Sequence, residues 1–139
     1  MCMVLYAAAD SPLPEIAEEM PPLPLSVRPV TGSEELVRAH FTKPYAYFLG
    51  SHTGCSCGFQ YGEGVEEDAE GRESVRALGA FLEKAVESGG PLELFACWDG
   101  DEAQPPSKSE VVSARDFTGD AYEFDLAEGW LATVVAPAS

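Results

Sequence analysis

Residues 73–98, Glu-Ser-Val-Arg-Ala-Leu-Gly-Ala-Phe-Leu-Glu-Lys-Ala-Val-Glu-Ser-Gly-Gly-Pro-Leu-Glu-Leu-Phe-Ala-Cys-Trp, hold the two periodicities that decide the fold. Val75, Leu78, Leu82, Ala85 and Val86 recur at three- and four-residue steps, which predicts a helix from Glu73 to Ser88 with one apolar face. Gly89 and Gly90 follow as helix terminators, and Pro91 blocks re-entry. The period then drops to two. Leu92, Leu94, Ala96 and Trp98 share one face of a strand, and Glu93, Phe95 and Cys97 the other.

Working outward, residues 3–9 are short and apolar, and read as a buried strand. Residues 11–24 read as an extended proline-rich connection, because Pro12, Pro14, Pro21, Pro22 and Pro24 lack the N–H that a ladder needs. Ile16, Met20 and Leu23 would pin it down, and the same stretch could serve as an arm that docks a protein partner. Ser33 reads as an N-cap, with Leu36, Val37, His40 and Phe41 on one face of a first helix that Pro44 stops. At that helix end the dipole accounts for His40 without a ligand. Tyr45 to Leu49 is a strand. Val111–Phe117, Phe124–Leu126 and Trp130–Val135 read as further strands, with a terminal antiparallel pair among them. The expectation is a single α+β domain over residues 1–139, a mixed sheet with about two packed helices.

The chain has 139 residues, with 8 Lys and Arg against 24 Asp and Glu, for a net charge of −16. Such a surface repels phosphates, which argues against nucleic acid and anionic membranes as partners. No apolar run approaches the ~20 residues of a membrane span. The start lacks the basic region of a secretory signal, so the chain reads as cytoplasmic, where thiols stay reduced.

Chemical character concentrates in residues 50–59, Gly-Ser-His-Thr-Gly-Cys-Ser-Cys-Gly-Phe. His52, Cys55 and Cys57 offer imidazole and thiolate, the ligands that zinc and other borderline-soft metals prefer. The glycines let the loop fold so that its side chains converge. A fourth ligand would be Cys97, or alternatively Cys2, which chelates through amine and thiol if Met1 is removed. Against this, the paired C-x₂-C knuckles of familiar zinc modules are absent. A second reading makes Cys55 or Cys57 a redox centre or an enzyme nucleophile. No cation lies between Lys43 and Arg72 to stabilise a thiolate, whereas the acids at 63–70 oppose one. A third reading has the cysteines merely filling a glycine-rich turn, in a metal-free interaction domain that presents its proline-rich arm. Asp99, Asp101 and Glu102 read as a solvated turn.

Residues 43–59, Lys-Pro-Tyr-Ala-Tyr-Phe-Leu-Gly-Ser-His-Thr-Gly-Cys-Ser-Cys-Gly-Phe, resemble a segment of small uncharacterised bacterial proteins. Residues 2–10 and 95–102 are similar as well. The resemblance implies a stand-alone bacterial domain and brings no activity with it. The leading expectation is therefore a small acidic protein with a zinc-like site at His52, Cys55 and Cys57, structural or regulatory in role.

Overall fold

A computed structural model describes residues 3–17, 23–53, 56–59, 69–117 and 127–136. Among the described residues six strands form one sheet: β1 (Met3–Ala9), β2 (Leu25–Pro29), β3 (Tyr45–Ser51), β4 (Leu92–Trp98), β5 (Lys108–Ser113) and β6 (Trp130–Val135). Their order across the sheet is β2-β3-β1-β4-β6-β5. Every neighbouring pair is antiparallel except β5 and β6, which run parallel. The architecture is α+β, as the alternation of periods predicts.

The apolar run of β1 explains its central place. All seven of its residues are buried, which requires cover on both faces. On one face, Leu5, Ala7, Leu49, Leu94 and Ala96 meet the stripe Val75, Leu78, Leu82 and Val86 of helix α1 (Ala69–Gly89). Each fully buried leucine of that stripe contributes ~1.5–3 kcal/mol. The helix ends where the glycines stand. Gly90 takes φ +85°, and its N–H donates to the carbonyl of Val86 at 2.9 Å, a left-handed turn that favours glycine.

The opposite face carries Val4, Tyr6, Phe48, Phe95 and Cys97, covered by Val30 and Val37. Here the cover is a 3₁₀ helix over Gly32–His40, not the expected α-helix. A period of three aligns Glu34, Val37 and His40. Val37 enters the core, His40 stacks on Phe95 with ring centroids 4.5 Å apart, and Glu34 receives Arg28 through two bonds of 2.8 Å. Leu36, expected on the buried face, is exposed. The cap is Thr31, whose N–H donates to the Glu34 carboxylate, not Ser33.

Two further differences have physical reasons. Strand β2 was hidden by flanking prolines, yet it is an edge strand, where Pro29 costs no central ladder bond. Its outer side is partly covered by Ile16, which exchanges two backbone bonds with Val27 at 3.0 and 2.9 Å. Nearby, the Leu13 N–H donates to the Tyr47 hydroxyl, so this part of the proline-rich connection is pinned. Second, the terminal pair is parallel because the chain between β5 and β6 is a crossover, not a hairpin. Ala114–Phe117 forms a 3₁₀ turn in that crossover and buries Phe117 in the core shared with α1. The strand expected at 124–126 lies outside the described residues. No helix among the described residues is long and apolar enough to cross a membrane.

Candidate functional site

β3 delivers its C-terminal end to the N-terminal part of α1, and His52 follows Ser51 immediately. The His52 backbone N–H donates to Ser74 Oγ at 3.1 Å, and His52 Nδ1 lies 2.9 Å from the same oxygen. Ser74 is fully buried on the helix. A hydroxyl has one proton and two lone pairs, so it accepts the backbone N–H and still engages Nδ1 in either tautomer. One side chain thus fixes both the backbone and the ring of His52. Nε2 lies outside this clamp, 3.7 Å from Glu70 Oε2.

The loop is clamped again four residues on. Ser56 is fully buried, and its Oγ accepts the Leu5 N–H at 2.8 Å while donating to the Leu49 carbonyl at 2.6 Å. Leu5 and Leu49 are register partners in β1 and β3. The serine hydroxyl therefore bridges the ladder, as a structural water would. The chain then enters the 3₁₀ turn Ser56–Phe59, and Phe59 inserts into the α1-side core.

Of the sequence-predicted ligands, His52 is in the described structure at the sheet–helix junction. Cys2 and Cys55 lie outside the described residues, as does the side chain of Cys57. Cys97, the expected fourth ligand, packs with Val4, Tyr6 and Phe95 on the face opposite α1, whereas His52 bonds to Ser74 of α1. Among the described residues no three His, Cys, Asp or Glu side chains converge as a metal site would require.

Two features were not anticipated. Ser74 sits four residues before Leu78, on the buried stripe; a polar side chain there needs a partner, which was the readable signal. Glu102, expected in a solvated turn, is 2% exposed. Its carboxylate accepts the Tyr6 hydroxyl at 2.9 Å and the Gly100 N–H at 3.1 Å. His40 Nε2 lies 2.7 Å from its backbone carbonyl. Burial and the Glu102 carboxylate push the Tyr6 hydroxyl far above its ordinary pKa. Burial, reinforced by Glu102, Asp101, Asp99 and Glu128, pushes the Cys97 thiol up to about 12. Cys97 is therefore neutral at physiological pH and unsuited to nucleophilic work.

The chain matches no family model, no curated protein and no solved structure.

Proposed function

We propose that the chain binds a zinc-like metal ion between the 52–57 loop and the start of α1, through His52 Nε2, the thiolates of Cys55 and Cys57, and Glu70. The metal staples the loop to the helix, in a structural or regulatory role. The observation that carries this reading is the Ser74 clamp. A metal-binding histidine usually has one imidazole nitrogen hydrogen-bonded so that the ring is fixed, with the other directed outward to the metal. The Nε2–Oε2 separation of 3.7 Å is too long for a hydrogen bond. It is close to the ~3.4 Å edge of a tetrahedron built on zinc–ligand distances of about 2.0–2.2 Å. Glu70 stands in this reading where Cys97 was expected as the fourth ligand. The negative surroundings favour a bound cation over a free thiolate. The same charge argument weighs against nucleic acid and anionic membranes as partners.

Elemental analysis of untagged protein, followed by Co²⁺ titration, tests the reading. One equivalent of metal and a thiolate-to-cobalt charge-transfer band are expected in the wild type and in Cys97→Ser. The band disappears in Cys55→Ser/Cys57→Ser, and affinity falls ~10–100-fold in Ser74→Ala. Absence of uptake, or uptake indifferent to the double cysteine substitution, overturns it.

A further inference from the structure

A pocket of about 290 Å³ opens between the start of the proline-rich connection, residues 11–14, and the 81–89 stretch of α1. Both walls are set without a ligand. One is helix. The other is anchored twice, by the Leu13 N–H donating to the Tyr47 hydroxyl at 2.9 Å and by the two backbone bonds between Ile16 and Val27. A pocket formed in advance spares its ligand the cost of ordering it.

Three observations bear on what fits. First, the reachable lining is hydrocarbon. Pro12 and Pro14 are exposed, Phe81 is half-buried, and Leu13 and Ala85 are each 9% exposed, whereas Ala9 and Leu92 close the floor. An apolar pocket with a few polar groups at its edge is the usual form of a small-molecule site, and this volume lies at the lower end of the range. Second, Lys84 is the one ionisable side chain among the described residues that line the pocket. Arg28, Arg38, Lys43, Lys108 and Arg115 each pair with a carboxylate, whereas Lys84 is exposed and has no ion-pair partner among the described residues. The acids closest to it in sequence do not compete. Glu83 is paired with Arg115, and Glu87 does not line the pocket. Ser11, packed near Gly89 at the helix end, adds a hydroxyl that can donate. Third, at ~30 Å³ per water the pocket has the volume of about ten waters, and so of a ligand with roughly ten non-hydrogen atoms.

We propose that this pocket binds a medium-chain monocarboxylate, its hydrocarbon tail between Leu13, Phe81 and Ala85 and its carboxylate against Lys84 and the Ser11 hydroxyl. The single cation sets the head at one negative charge. The net charge of −16 opposes any anion at long range, but at 0.15 M salt the Debye length is ~8 Å, so the contact with Lys84 decides. Lys84 stands ten residues along α1 from Ser74, ~15 Å from the His52 clamp, and the site is independent of the metal reading.

Titration of the full-length ¹⁵N-labelled chain with sodium octanoate in 0.15 M NaCl tests this. The expected result is saturable one-to-one binding, with the largest amide shifts at Leu13, Phe81, Lys84, Ala85 and Gly89. Hexanoate, two methylenes shorter, binds about 15-fold more weakly, at ~4-fold for each buried methylene. Lys84→Met, at an exposed position and with a spectrum that reports its folding directly, weakens octanoate at least 5-fold and leaves the neutral n-octanol unchanged. Shifts that fail to saturate, that centre outside this pocket, or that are as large for octanoate in Lys84→Met as in the wild type overturn the proposal.

Discussion

The buried thiol of Cys97 makes a quantitative prediction about alkaline stability. In the unfolded chain the thiol titrates near its ordinary value of 9.0, and in the folded protein at about 12. A folded value raised above the unfolded one leaves stability intact below pH 9. Stability is then lost as pH rises toward 12, because only the unfolded chain releases the proton. The slope is ~1.4 kcal/mol per pH unit once the unfolded thiol is mostly ionised. Integrated from pH 8 to pH 10, the loss is about 1.4 kcal/mol. Tyr6 shifts in the same direction, but its ordinary value of 10.0 places its share mainly above this window. Urea unfolding followed by the fluorescence of Trp98 and Trp130, with reductant present, measures the effect in wild type and Cys97→Ala. All other titrating groups are common to both chains, so the difference between them isolates Cys97. The wild type should lose about 1.4 kcal/mol more than the variant between pH 8 and pH 10. Equal losses would refute the assignment of Cys97 as a buried, neutral thiol.

Ser56→Ala removes the hydroxyl that joins Leu5 and Leu49, leaving an N–H and a carbonyl without their bridge. The expected cost is ~2–4 kcal/mol, read as a lower urea midpoint together with faster hydrogen exchange of the Leu5 amide. Gly129→Ala places a Cβ 2.3 Å from Ser107 Oγ at a φ of +78°. It should cost ~2–4 kcal/mol, and Ser107→Ala in the same chain should restore part of the lost midpoint.

The parts of this structure that depend on neighbours in sequence were legible. The α1 stripe, the Gly89-Gly90-Pro91 stop and the parity of β4 follow from short-range pattern. Parity even put Cys97 opposite Leu94 and Ala96. It could not reveal that Phe59 returns to the Leu94 face beside Ser56, because that depends on Ser56 finding Leu5, 51 residues away. The same limit hid the His52–Ser74 contact, across 22 residues, and the turning inward of Glu102 to Tyr6, across 96. Strand β2 was obscured differently. Proline is informative about central strands, and this one is at an edge. The chemistry of His52 was readable from its residue type and its cysteine neighbours, whereas the oxygen that aims its ring was not.

The central position of β1 also bears on how the chain is made. This strand precedes all its partners in sequence, and its seven residues are apolar on both faces. Its first partner ends at Ser51 and its second at Trp98. At a translation rate of ~5–20 residues per second, β1 would wait roughly 2–8 s for the first partner and longer for the second. During synthesis the nascent chain therefore carries an unpaired apolar segment, of the kind that chaperones hold and that neighbouring chains can capture.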